Sequence, residues 1–348
     1  METTWASLVS YGLTAQALKD FLPVEATLNA TTVQNHTLAV APRCEDELGE
    51  EQWAFVEGCP ADWETLPIPD GPITVGIDGG YVRNWEEKKQ HCEVIVGKSI
   101  LAFKREDEED IPSSQCFGFV QTLDTKPKRR LFEVLQSPGH QMNQQLTFLS
   151  DGGDTVRDLQ LYMNPQAEHL LDWFHLAMRL TVMQQTAKGL PQTIRDDEVT
   201  YTLRDPVVQA LERLKWSLWH GNVYKAFHKI AALAMDLDVA VATTGDAAAR
   251  KLLKAVEEFH TYSERHRAFI PNYGERYRSG ERISTGFVES TVNQVISRRF
   301  CKKQQMQWTK RGAHLLLQTR VKTLNQELGA VFQRWYPDLQ LEEEPLAA

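Results

Sequence analysis

The sequence predicts a mixed α/β domain interrupted by an all-helical block. Three observations carry this. Short apolar runs from Ile73 onward alternate in the manner of strands and then alternate with helix-length segments. Three of those runs, "ITVGID", "LTFLSD" and "LLD", end in an aspartate: Asp78, Asp151 and Asp172. Residues 191–283 carry no strand-like run but several stretches with 3.6-residue apolar spacing.

In chain order, residues 1–43 read as short helices. Pro23 and a polar turn separate two of them, and Asn29 or Thr31 can cap the second. A remnant of a helix-turn-helix fits this pattern weakly. Residues 44–72 read as an acidic linker, with eight acidic and no basic side chains over 44–64 and "PIPDGP" at the end. The first part of the core spans 73–190. "ITVGIDGGYV" is a strand closed by Asp78, with Gly79 and Gly80 making a turn. "HCEVIVGKSILAF" and "CFGFVQTL" are further strands. "PKRRLFEVLQ" is a helix that stops at Pro138-Gly139, "QLTFLS" a strand, "TVRDLQLYM" a helix, "EHLLDWF" a strand and "HLAMRLTVMQQTAKG" a helix. The order is β-β-β-α-β-α-β-α, a mixed sheet with helices on its faces. A helical insertion occupies 191–283. Residues 284–328 are again helical: Ser284 or Thr285 can cap the first helix, and Ala313, Leu316, Leu317, Arg320, Val321 and Leu324 share one stripe of the second. Residues 329–348 form a tail.

Composition narrows the function classes. Hydrophobic residues make up 42% and charged residues 24%, ordinary for a globular protein. No run reaches the ~18 apolar residues of a membrane span, and the N-terminus lacks the basic and apolar regions of a signal peptide. The five cysteines are scattered and never in CxxC spacing, which argues against a disulfide framework or thiolate zinc site and leads us to expect a cytoplasmic protein. The net charge of −9 disfavours nucleic acid at first sight. Residues 290–325, however, hold Arg298, Arg299, Lys302, Lys303, Lys310, Arg311, Arg320 and Lys322 with no acid. Such a segment either tracks phosphates or is a solvated helical face.

The aspartates carry the chemistry. If their strands are neighbours, Asp78 and Asp151 offer two carboxylates to a hard divalent cation. The competing reading is that each is a strand-end turn former, common before glycine. Both precede Gly-Gly, in "IDGGYV" and "SDGGDT", which favours a shared role. Asp172 and His175 lie three residues apart in "DWFH", either beside a metal site or as a structural pair at a helix start.

The strand order, the two aspartates, the helical insertion and a Glu on a capped helix ("STGFVES") resemble the RNase H-like DDE transposases. Residues 277–320 are similar to the C-terminal catalytic region of bacterial insertion-sequence transposases, related in layout to Mutator and hAT transposases. The resemblance covers about residues 73–325. It implies that Asp78, Asp151 and Glu289 are the catalytic, metal-ligating acids. Asp172 and His175, matching a [C/D]-x-x-H motif, would stand beside them, with Asp172 in place of Asp151 as the alternative ligand. It also implies two Mg²⁺ (or Mn²⁺) ions and double-stranded DNA, both element ends and target, as partner. A homodimer or larger assembly on DNA follows, with no membrane association. DNA contacts would come from Arg298, Arg299, Lys302, Lys303, Lys310 and Arg311. The cysteine-rich N-terminal motifs common in such relatives are missing, so a shortened N-terminal region is expected. A nuclease of the same fold without strand transfer, a non-catalytic DNA-binding derivative and a two-carboxylate sugar hydrolase are the rival readings.

Overall fold

A computed structural model describes residues 1–69, 71–87, 90–101, 114–136, 139–196, 199–301 and 308–338. The central sheet contains β1 (Ile73–Arg83), β2 (His91–Leu101), β3 (Cys116–Val120), β4 (Leu146–Ser150) and β5 (Glu168–Leu171), in the order β3-β2-β1-β4-β5. β1 pairs antiparallel with β2, and β2 with β3; β1–β4 and β4–β5 are parallel. The expected mixed sheet is therefore present, with its first strand in the middle.

Helices cover both faces. α5 (Pro127–Gln136) and α6 (Asp154–Met163) lie on one, where Leu131, Leu135, Val156 and Leu159 meet Val75, Ile77 and Phe148. The other face carries α12 (Gly286–Val292), a π-helical turn (Asn293–Ser297), α13 (Arg298–Phe300) and α14 (Lys310–Leu324). The N-terminal helices α1 (Glu2–Leu8), α2 (Tyr11–Phe21) and α3 (Ala30–Glu47) complete it, burying Ala6, Tyr11, Ala15 and Val33 with Val82, Val94, Leu316 and Leu317. Residues 1–43 are thus part of the main core, because their apolar stripe closes over α14. Helix starts follow local chemistry: Ser10, Asn29, Asn222, Asp246 and Thr309 each accept a backbone N–H in the first turn.

The insertion has its own core. That core takes in α7 (Trp173–Ala187), which the sequence reading assigns to the 73–190 part, together with α8 (Arg204–Trp219), α9 (Val223–Thr244), α10 (Ala247–Arg265), a 3-10 turn (Arg267–Phe269) and α11 (Tyr273–Arg278). Leu180, Leu211, Leu233, Leu252 and Phe259 are fully buried within it.

Several boundaries differ from the sequence reading, each for a packing reason. The 44–72 stretch is no free linker. α3 runs on to Glu47, α4 (Pro60–Trp63) lies within the stretch, and Phe55 is buried with its ring 4.6 Å from that of Phe132. β1 continues through Gly79 and Gly80, paired with Ile95 and Val94, so these glycines make no turn. Gly76 and Gly80 instead let α12 and the π-helical turn approach. A Cβ at Gly76 would fall 2.2 Å from Val288 Cγ2, and one at Gly80 2.6 Å from Ile296 Cδ1. β5 stops at Leu171 because Asp172 caps α7. β6 (Thr193–Asp196) pairs antiparallel with β7 (Val199–Thr202), where the sequence suggested no strand; the pattern is short and β7 is wholly exposed. The tail carries α15 (Leu328–Trp335). Pro138, Lys302 and Lys303 lie outside the described residues.

The edge strand β3 is closed by side chains. Asn325 accepts from the Cys116 amide (2.9 Å) and donates to its carbonyl (2.8 Å), Gln318 donates to the Gly118 carbonyl (3.1 Å), and His314 Nδ1 accepts from the Val120 amide (3.4 Å). Backbone groups that would otherwise invite another strand are thereby occupied.

Candidate active site

The sheet register brings the three aspartates to one level. The last β1–β4 pair is Gly76 with Leu149, and the last β4–β5 pair is Ser150 with Leu171. Carried on by the same offsets, those registers set Asp78 beside Asp151, and Asp151 beside Asp172. Strand alternation puts Asp78 on the face of Gly76 and Gly80, the face crossed by α12. Asp78 is half-buried and Asp151 exposed.

The three carboxylates differ in what they are free to do. Asp172 is completely buried and its oxygens are committed. Oδ1 accepts from the amides of Phe174 (2.8 Å) and Thr285 (3.0 Å); Oδ2 accepts from His175 Nδ1 (2.8 Å) and the Thr285 hydroxyl. Thr285 therefore serves Asp172 and makes no side-chain cap of its own helix. By contrast, among the described residues Asp78 Oδ1 takes only the adjacent Gly79 amide (2.7 Å), and Asp151 Oδ1 only the Gly153 amide (3.0 Å). Among the described residues neither is in an ion pair. Two carboxylates with open lone pairs beside one that is saturated is what separates candidate ligands from a scaffold.

The electrostatics agree. Burial raises the Asp78 carboxyl above its ordinary range; the Gly79 amide and His175 oppose this, while Asp151 and Asp172 add to it. The hydrogen bond to Asp172 raises the His175 imidazole. Burial opposes that shift, and the charges of Asp172, Asp78 and Asp151 reinforce it. Asp78, Asp151, Asp172 and His175 are thus one electrostatic group.

Glu289 lies on α12, exposed, one residue after Val288, which packs over Gly76. Its helix is anchored to the group through Thr285, one turn earlier. Asp78, Asp151 and Glu289 do not have donor atoms all within 4.8 Å of one another. Among the described residues the one cluster that does is Glu45, Asp124 and His314, close enough to hold a metal ion. Arg130 already supplies a cation there: it pairs with Glu45, and its Nε lies 2.8 Å from Asp124 Oδ2. Burial would raise the Glu45 carboxyl, but hydrogen bonds from His314 and Arg130 bring it down to about 2. That cluster is a clasp joining α3, α5 and α14.

The predicted DNA-contacting residues divide. Arg298 and Arg311 are exposed and Lys310 is half-buried. Arg299 faces inward, its Nε donating to the Ala6 carbonyl (3.2 Å) and its guanidinium 4.9 Å from the Tyr11 ring centroid. Arg320 is 2% exposed and donates to the carbonyls of Val295, Ser7 and Gln294. These two arginines tie α1 to the C-terminal helices, which corrects the expectation that Arg299 contacts DNA.

Sequence reasoning missed Thr285 as the partner of Asp172, and also the grip on the Asp151 loop. Ser150 Oγ lies 2.9 Å from His169 Nε2 and accepts from the Gly152 amide (3.1 Å), and the Tyr262 hydroxyl donates to the Asp151 carbonyl (2.8 Å). The signal for Thr285 was present, a capping residue in "STGFVES"; Tyr262, deep in a helical run, carried none. Comparisons with protein-family models, curated proteins and solved structures find no match.

Proposed function

We propose that this chain is an RNase H-like DDE transposase that cleaves DNA at the ends of an insertion sequence and joins those ends to target DNA. The observation that carries the reading is the pair Asp78 and Asp151. Asp78 lies on β1 and Asp151 one residue past the end of the adjacent parallel β4, at one level and with no ion pair among the described residues, while the helix that bears Glu289 crosses β1 at Gly76. The sheet order, with β1 central and β2 and β3 antiparallel to one side, supports an RNase H-like core.

The donor set fits Mg²⁺ or Mn²⁺, which take carboxylate oxygens and leave positions for water and phosphate. Asp78, Asp151 and Glu289 would hold two such ions, and Asp172 would not, since its four acceptor positions are used. When bound, the ions supply Lewis-acid activation of the attacking oxygen and stabilisation of the leaving oxygen. Asp172 and His175 orient the site by fixing the start of α7 and, through Thr285, the start of α12. Exposed Arg298 and Arg311, with Lys310, would contact backbone phosphates. The partner would be double-stranded DNA, bound by a dimer or larger assembly.

The test is incubation of the purified protein with Mg²⁺ and DNA carrying the inverted repeats that flank its gene. Cleaved ends and joined products are expected, and Asp78→Asn, Asp151→Asn or Glu289→Gln should abolish both. Cleavage without joining would favour a nuclease; no cleavage with retained DNA binding would favour a non-catalytic derivative.

A further inference from the structure

The turn that carries Asp151 is held from outside the sheet by the helical insertion. The Tyr262 hydroxyl, near the end of α10, donates to the Asp151 carbonyl at 2.8 Å. The Tyr262 ring is itself held by the Arg179 guanidinium, 4.2 Å from its centroid, and by the His266 ring at 5.0 Å. His266 lies against the next residue of the turn. Gly152 has φ +89°, and a Cβ there would fall 2.6–3.0 Å from three atoms of the His266 imidazole. On the sheet side, Ser150 binds both His169 and the Gly152 amide, and the His169 ring sits 4.6 Å from that of Phe269 in the 3-10 turn after α10. The turn is therefore clamped between β4–β5 and the end of α10.

Such a clamp has a physical purpose. Ser150-Asp151-Gly152-Gly153 ends in two glycines, the residues with the widest backbone freedom. Asp151 is exposed, and among the described residues its carboxylate takes only the amide of Gly153, within the same turn. The Gly153 amide orients one carboxylate oxygen relative to the turn, so the direction of the carboxylate depends on how the turn as a whole is held. We infer that Tyr262 and His266 are positioning residues, through which the helical insertion sets the Asp151 carboxylate for metal binding. The inference rests on the metal-dependent reading above and adds to it a reason for the insertion to touch the site.

The experiment measures Mn²⁺ affinity of the full chain by electron paramagnetic resonance, with thermal midpoints recorded in parallel. The wild-type protein should bind Mn²⁺, and Asp151→Asn should weaken binding sharply. Tyr262→Phe keeps the ring and its contacts but loses one hydrogen bond. It should weaken Mn²⁺ binding roughly two- to tenfold, the range of one such bond, with the midpoint lowered by only about 1–6 °C. Gly152→Ala should weaken binding too, because its methyl meets the His266 ring and its backbone sits at φ +89°. If Asp151→Asn loses Mn²⁺ while Tyr262→Phe binds as the wild type does, the positioning role is overturned and the metal site stands. If the wild type binds no Mn²⁺, or Asp151→Asn binds it unchanged, the metal reading falls and the positioning role with it.

Discussion

Asp172→Asn tests the division of labour among the aspartates. The Asn carbonyl oxygen can keep the Phe174 and Thr285 amides, now at 2.8 and 3.0 Å. Its NH₂ replaces an oxygen that accepts from His175 Nδ1 and the Thr285 hydroxyl. The hydroxyl must turn and the imidazole change tautomer for any bond to survive. Hydrogen bonds to charged groups contribute ~1.5–3 kcal/mol and neutral ones ~0.5–1.5, so two downgraded bonds cost about 2–3 kcal/mol. Asp172→Ala strands all four donors and removes the α7 cap, a loss of about 3–5 kcal/mol. At ~2–4 °C per kcal/mol for units of 150–250 residues, the Asn variant should melt roughly 4–12 °C lower, followed by circular dichroism. Asp78→Asn should do the opposite. Burial disfavours the Asp78 charge, so removing it should leave the midpoint unchanged or higher at neutral pH. Asp172→Asn melting with the wild type, or Asp78→Asn proving the more damaging change, would refute this division of labour.

Three further outcomes are expected. Asn325→Ala opens the β3 edge at Cys116, costing about 1–3 kcal/mol and raising self-association in light scattering. Neutralising Lys302, Lys303, Lys310 and Arg311 should weaken DNA binding and flatten its salt dependence without unfolding, whereas Arg299→Ala should destabilise the fold by detaching α1. Two groups, Asp78 and His175, should each make a contribution to stability that falls with rising pH in its own window. The raised Asp78 carboxyl adds a penalty from about pH 4, where it begins to ionise unfolded, up to its higher folded value. The raised His175 imidazole contributes fully below pH ~6.5, and that contribution is lost as pH rises through its folded value, so His175→Gln should flatten the upper window in denaturant titrations.

The parts legible in the sequence were those written in local pattern. The five strands of the sheet and the helices of the insertion follow apolar periodicity, and the ends of β4 and β5 were marked by Asp151 and Asp172. What escaped depended on distant partners. Gly79 and Gly80 look like a turn, yet β2 holds β1 straight through them. Arg299 and Arg320 look like phosphate contacts, yet α1 supplies carbonyls that draw them inside. Phe55, in the four-residue run "WAFV" among acids, has too short a pattern to reveal that it packs against Phe132 of α5. For the site, spacing along the chain nominated the aspartates, but only the register and the hydrogen bonds tell the saturated Asp172 from the open Asp78 and Asp151.

The most direct measurement is a crystal structure of the protein grown with Mn²⁺, its ions located by anomalous scattering. The account predicts Mn²⁺ between the carboxylates of Asp78 and Asp151, with Glu289 joining on the α12 side, and none at Asp172. Mn²⁺ bound by Asp172, or lodged at Glu45, Asp124 and His314 with Asp78 and Asp151 bare, would contradict it.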